Sequence, residues 1–183
     1  MRRHINNIIS VICTFLRSLV WRVVHGGNLK MGLIERFSPN VVCEFKRGSK
    51  INIGNKVRIH SGTKLKVRKN GRLQIGAGVK VNYNCIFVCH NQIEIGSGTE
   101  FGPSVYIYDH DHDFRAGLKK GKFKSAPVII GKNCWIGANT VILRGTTIGD
   151  DCVVGAGSVI KGTYPSGSII MQKRETSVIA LDD

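Results

Sequence analysis

The chain is short of acidic residues: 12 Asp and Glu stand against 27 Lys and Arg in 183 residues, a net charge of +15. The deficit is local. Residues 1–80 carry 17 basic side chains and two acids, Glu35 and Glu44, whereas residues 81–183 carry ten of each sign. So polarised a field suits an anionic membrane surface or an anionic ligand. Nucleic acid is set aside as a partner, because no binding module or aromatic stacking platform accompanies the charge. The six cysteines lack the spacing of a disulfide or zinc framework, which fits reduced thiols in a cytoplasmic protein. A long apolar run is also missing. His4 to Leu16, thirteen residues without Arg, Lys, Asp or Glu, falls short of the roughly twenty needed to span a bilayer. Arg17 and Arg22 interrupt the apolar stretch and no small-x-small site follows, which argues against a cleaved signal peptide.

What is present is a period of six. Fifteen hexads between Ile53 and Pro165 each begin with an aliphatic residue or Phe: Ile53, Ile59, Leu65, Ile75, Val81, Phe87, Ile95, Phe101, Ile107, Ile130, Ile136, Ile142, Ile148, Val154 and Ile160. This period fits neither a helix stripe nor an alternating strand, so each hexad reads as a short strand followed by a corner. Three such sides close one triangular coil. Gly recurs at the second position, as in Gly96 and Gly137, where a corner favours a residue free of Cβ restriction. Small or branched residues dominate the fifth position, among them Val57, Thr63, Cys85, Thr99, Cys134, Thr140 and Cys152. These are expected to share the narrow interior with the first positions.

Extra residues at 71–74, 93–94 and 113–129 each follow a third hexad, so every excursion leaves from one edge of the prism. The division that results is an amphipathic N-terminal helix at 1–30, a connecting segment with a partial first coil at 31–52, a solenoid at 53–165 carrying the loop 113–129, and a tail at 166–183. Within the helix, Ile5, Ile8, Ile12, Phe15, Leu16, Leu19, Val20 and Val23 recur at helical spacing. Residues 1–24 are read as lying on a membrane interface, with packing on the solenoid or inside an oligomer as the alternative.

Polar chemistry concentrates in Tyr106-Ile-Tyr-Asp-His-Asp-His-Asp-Phe114, at the foot of the longest excursion. His112 closes its hexad and stands at the edge from which the loop departs. An imidazole there suits a general base, with Asp109 placed to hold its tautomer. His110 is the rival base, and its ring is expected to point away from that of His112.

The run Ile130-Gly-Lys-Asn-Cys-Trp-Ile-Gly-Ala-Asn-Thr-Val-Ile through Val-Gly-Ala-Gly-Ser-Val-Ile160, with the upstream Asp-x-x-His and the long loop between, resembles the hexapeptide-repeat acyltransferases. The resemblance covers Ile53 to Pro165. It implies a mainly β chain wound into a left-handed parallel β-helix, assembled as a homotrimer with sites between subunits. It also implies an acyl-CoA-dependent O-acetyltransferase that moves an acetyl group from acetyl-CoA, with no metal, to a hydroxyl of a sugar or lipid-linked saccharide in bacterial surface polysaccharide synthesis. On the same grounds His112 is similar to the family's base and Asn82 to a residue near the reacting acetyl group. Trp135 and Ala138 resemble positions lining the pantetheine arm, with the Ala138 N–H as an oxyanion donor. Ala156 and Lys161 match groove positions one coil on. Relatives commonly carry a Gly-x-Pro-Ala-Lys segment near the C-terminus, which is here replaced by Ile170-Met-Gln-Lys-Arg174, leaving Lys173 and Arg174 as the cofactor contacts expected there. Two other classes share the fold: a zinc carbonic anhydrase, which His60, His90, His110 and His112 keep open, and a trimeric scaffold without catalysis.

Overall fold

The computed structural model describes residues 2–32, 35–116, 121–173, 175 and 177. Helix α1 (Arg2–His25) is followed by a column of short parallel strands arranged as three sheets. The first sheet stacks Leu29–Met31, Lys50–Ile53, Arg72–Ile75, Gln92–Ile95, Val128–Ile130, Thr147–Ile148 and Thr163–Tyr164. The second begins at Arg36–Phe37 and runs through Arg58–Ile59, Lys80–Val81, Glu100–Phe101, Trp135–Ile136 and Val153–Val154 to Ile169–Ile170. The third holds Val42–Phe45, Lys64–Val67, Ile86–Cys89, Tyr106–Tyr108, Val141–Ile142 and Val159–Ile160. Each coil visits the three sheets in turn and hydrogen-bonds to the coils before and after it, about 4.8 Å away. The chain is therefore a parallel β-solenoid, mainly β, with one N-terminal helix.

All fifteen hexad-leading residues lie inside, none more than 2% exposed. Each contributes on the order of 1.5–3 kcal/mol of apolar burial. The fifth positions do more than fill space. Thr63 Oγ1 donates to the Asn82 carbonyl (2.9 Å) and Thr99 Oγ1 to the Gly131 carbonyl (2.8 Å), each bridging to a neighbouring coil. Cys85, Cys134 and Cys152 direct their thiols at the carbonyls of Gly102, Gly149 and Pro165 in the same way. Burial pushes the Cys85 thiol up to about 11 and raises that of Cys134, so these sulfurs are protonated spacers rather than nucleophiles.

Several expectations need correction. The glycines at the second position do not serve a dihedral requirement. A Cβ on Gly96 or Gly137 would lie 2.4 or 2.5 Å from backbone of the next coil, so close coil approach excludes a side chain. The left-handed conformation falls instead on the fourth position, occupied by Lys56, Asn84, Ser104, Asn133, Asn139 and Asp151 as well as by Gly78 and Gly157. The solenoid is also longer than 53–165. A coil begins at Leu29, pairing Leu29–Met31 with Ile51–Ile53, and the last strand, Ile169–Ile170, pairs with Val153–Val154. That first coil hides from the repeat because buried Glu35 stands within it, accepting a hydrogen bond from the Val57 N–H at 2.6 Å. Burial raises its carboxyl above the usual range. The two short insertions do not protrude. They lengthen the flanking strands to four residues, as in Lys64–Val67, Arg72–Ile75, Ile86–Cys89 and Gln92–Ile95.

Helix α1 caps the first coil with its polar stripe. Ser10, Thr14, Ser18 and His25 are buried, and Trp21 packs on Phe37 and Phe45 at centroid distances of 6.5 and 5.3 Å. Thr14 Oγ1 accepts the Phe37 N–H at 2.9 Å, while Arg17 donates to the Val41 carbonyl at 3.2 Å and Arg22 to the Met31 carbonyl. The apolar residues face outward instead: Ile5, Ile8, Ile9, Ile12, Phe15, Leu16, Leu19, Val20, Val23 and Val24 are each at least 40% exposed. By length and composition the segment Ile5–Asn28 is sufficient to cross a membrane, but the contacts of its polar stripe lay it across the end of the column.

Candidate active site

The long excursion leaves the edge between the third and first sheets as an antiparallel hairpin, His110–His112 against Phe123–Ser125. Its base is closed by the Ala126 N–H donating to the Asp109 carbonyl at 2.9 Å. The Asp109 side chain is wholly buried. It accepts the His90 N–H (2.8 Å) and the Asn91 N–H (2.6 Å) from the preceding coil, and the His110 Nδ1 lies 3.3 Å from its Oδ1. Asp109 thus clamps two successive coils and orients His110, not His112. The anionic Asp109, after burial itself, is what holds the neighbouring Cys89 thiol far above the ordinary thiol range.

Above this clamp lies a stack of rings. His90 and His110 overlap face to face at 3.7 Å, and Phe123 stands edge-on to both, at 4.6 and 5.3 Å. Burial first, then the proximity of His110, holds His90 below the ordinary imidazole value. His112 meets Phe123 at 4.8 Å yet is exposed. The two rings do not point apart. The strand persists through 110–112, and residues two apart on a strand share a face. The exposed ring of His112 is free to meet a second molecule, whereas the His110 side chain is 12% exposed. Arg144 from the next coil pairs with Asp111, tying the hairpin to the column, and Lys124 pairs with Asp113 at 3.2 Å, tying its two strands together, so His112 is flanked by an ion pair on each side.

The other expected residues lie elsewhere on the chain. Asn82, Ala138 and Ala156 occupy the edge between the second and third sheets, with the Ala138 carbonyl accepting the Gly157 N–H at 2.7 Å. Trp135 projects from the second sheet, 47% exposed, in register with Val153 and Ile169. Lys161 returns to the His112 edge and is exposed, as is Lys173, while Arg174 lies outside the described residues. A single chain therefore brings His112 and Asn82 onto two different edges, separated by the third sheet.

Asn82 opens onto a cleft of ≈ 570 Å³ that runs beneath the start of α1, lined among others by Asn6, Ser10, Arg36, Arg58, His60 and Tyr83. His60 stacks on Tyr83 at 4.7 Å. The sequence reading missed this cationic cleft and the ring-bearing Phe123. The coil period held a signal for the first, since Arg36, Arg58 and Lys80 follow at intervals of 22 and stack in register. Among the described residues, no three His, Cys, Asp or Glu side chains gather as a metal site.

A three-sided hexapeptide column with a hairpin-borne imidazole defines a class, and comparison with known proteins agrees. The model of the hexapeptide repeat of succinyl-transferase matches residues 127–161. Nodulation protein L of Rhizobium leguminosarum bv. viciae is 47% identical over 104 residues, covering 54% of this chain and 53% of that protein. An Escherichia coli K12 protein provisionally named a lipopolysaccharide biosynthesis O-acetyl transferase is 29% identical over 138 residues, 70% of each chain. The fold is shared with a hexapeptide-repeat containing acetyltransferase from Vibrio cholerae O1 biovar eltor, solved in complex with acetyl-CoA. Its TM-score is 0.59 and its identity 24%, over 92% of this chain and 78% of that one. The chain carries the hexapeptide repeat and is similar in sequence to acetyltransferases built on it. It spans about half the length of the first curated relative it matches.

Proposed function

We propose that the protein transfers an acetyl group from acetyl-CoA to a hydroxyl of a saccharide, free or lipid-linked, in the synthesis of a bacterial surface polysaccharide. The observation that carries this reading is the hairpin, which holds an exposed His112 beside a rigid clamp while its rival His110 is packed against His90 and Asp109. In the proposed reaction His112 accepts the proton of the acceptor hydroxyl as its oxygen attacks the thioester carbonyl carbon. The carbonyl becomes an oxyanion, toward which the Ala138 N–H is the candidate donor. Collapse breaks the carbon–sulfur bond, and the CoA sulfur recovers the proton from the imidazolium. No acyl-cysteine is needed, and the raised thiols of Cys85, Cys89 and Cys134 suit none.

Because His112 and the Asn82–Ala138–Ala156 edge stand apart on one chain, the site is proposed to form between copies of a homotrimer. The outward residues of the third sheet support such contact, since Ile86, Val88, Tyr106, Tyr108 and Val141 are all at least half covered or apolar. Trp135 is assigned to the pantetheine arm, Lys161 and Lys173 to the groove beyond it, and the cleft of Asn82 to the acceptor. Free thiols and an acyl-CoA donor support a cytoplasmic location.

The test is CoA release from acetyl-CoA across a panel of sugars and lipid-linked sugars. His112→Ala is expected to lower turnover by about 10²–10⁴-fold with the circular dichroism unchanged. Release with none of the acceptors, or normal turnover in His112→Ala alongside loss in His110→Ala, would overturn the assignment.

A further inference from the structure

Helix α1 is mounted with its amphipathicity reversed. The stripe that meets the solenoid is Ser10, Thr14, Ser18 and His25, with Arg17 and Arg22 bonded to carbonyls of the first coils. Soluble helices bury their apolar side, so the outward display of Ile8, Ile12, Leu16, Val20 and Val23, between 53% and 87% exposed, is a continuous apolar surface without a partner among the described residues. It lies at the end of the column where the charge is concentrated. Lys30, Lys46, Arg47, Lys50 and Lys56 of the first two coils are exposed at this end, Lys56 beside Ile8 and Ile12, and of the two acids in residues 1–80, Glu35 is buried.

We infer that this end of the protein docks on the surface of an anionic lipid bilayer, with the outer face of α1 in the headgroup and acyl boundary and the surrounding lysines and arginines on the lipid phosphates. Charge complementarity selects this occupant. A second copy presenting the same face would bring two strongly positive ends together, whereas an anionic leaflet attracts both the apolar stripe and the cations around it. Spanning is incompatible with the docked helix, because Thr14, Arg17 and Arg22 would have to leave the solenoid. Docking of this kind also sets the cleft of Asn82, which runs under the start of α1, at the level of the headgroups. The inference does not rest on acetyl transfer.

Cosedimentation of the purified full chain with vesicles tests it. Binding to an equal mixture of phosphatidylcholine and phosphatidylglycerol is expected to be at least about tenfold tighter than to phosphatidylcholine alone, and to weaken as salt is raised. The double substitution Leu16→Asp with Val20→Asp places charge at two positions of the outer face that are 57% and 61% exposed. It should abolish vesicle binding with the melting temperature and the mass in solution unchanged. Lys46→Gln with Arg47→Gln should weaken binding to the anionic mixture severalfold and leave the weak neutral binding as it is. Wild-type protein that binds neither vesicle, or a Leu16→Asp/Val20→Asp variant that binds like wild type, would overturn the inference. So would a fall in that variant's oligomeric mass, which would make the face a contact between chains.

Discussion

Gly96→Ala tests the idea that second-position glycines are demanded by the approach of one coil to the next. A Cβ at position 96 would lie 2.4 Å from the Gly131 carbonyl carbon and 2.5 Å from both the Gly131 oxygen and the Lys132 nitrogen. All three are backbone atoms, and they are held in place: the Gly96 N–H donates to the Ile130 carbonyl and the Gly131 N–H to the Ile148 carbonyl, each at 2.8 Å. Restoring ordinary contact requires a shift of roughly 1 Å in a stack spaced at about 4.8 Å. Overpacking costs about 1–3 kcal/mol, and rigid neighbours put this site at the upper end. A loss of about 3 kcal/mol corresponds to a fall of roughly 6–12 °C in melting temperature for a chain of this length. The contrasting change is Gly78→Asn at a fourth position. There φ is +72° and no atom outside the chain neighbours comes within 3.9 Å, and Asn84, Asn133 and Asn139 already adopt the same left-handed conformation. That variant should melt within about 2 °C of wild type. Thermal melts followed by circular dichroism decide the matter. An unshifted Gly96→Ala, or a Gly78→Asn that falls as far, would refute the reasoning.

Two further outcomes are expected. His90 is held below the ordinary imidazole value by burial and by His110, so the unfolded chain takes up its proton first. The stability this residue contributes is therefore present above about pH 6.5 and is lost as pH falls through its lower folded-state value. Urea midpoints measured from pH 8 down to pH 5 should decline, and His90→Asn should flatten that decline; an identical slope in the variant would contradict it. For the proposed intersubunit site, mixing refolded His112→Ala with Asn82→Ala should restore up to about one quarter of wild-type turnover, because random assembly of the proposed trimer regenerates that share of intact interfaces. Mixtures no more active than either parent would place both residues of a working site on one chain.

The interior of the fold was readable because it repeats. Every coil asks the same two things, an aliphatic residue at the first position and a small hydrogen-bonding or branched one at the fifth, and burial follows at Ile59, Thr63, Ile136 and Thr140 alike. The coil that begins at Leu29 escaped detection because its environment is not repeated: one side is roofed by Trp21 and Thr14, and Glu35 takes a place inside. Periodicity also showed that α1 is amphipathic without showing which side is bound. The polar stripe won because its hydroxyls and arginines satisfy carbonyls and N–H groups that the open end of the first coil leaves exposed. An apolar face cannot do that.

The same counting reaches the candidate site, and it says more than the individual residues do. Numbering the hexads from Ile53 in threes assigns each to a sheet. Val81, Ile136 and Val154 fall on the second sheet, so Asn82, Ala138 and Ala156 turn the corner that leaves it; Ile107 and Ile160 fall on the third, so His112 and Lys161 turn the next. No twist of a parallel stack brings two edges of one prism together, because each coil repeats the register of the last. If an imidazole at 112 and an amide at 82 serve one reaction, the second group must come from another molecule. Under the proposed pairing of His112 with Asn82 an oligomer is therefore required, and the mixed-variant measurement tests that step apart from the identity of the acceptor.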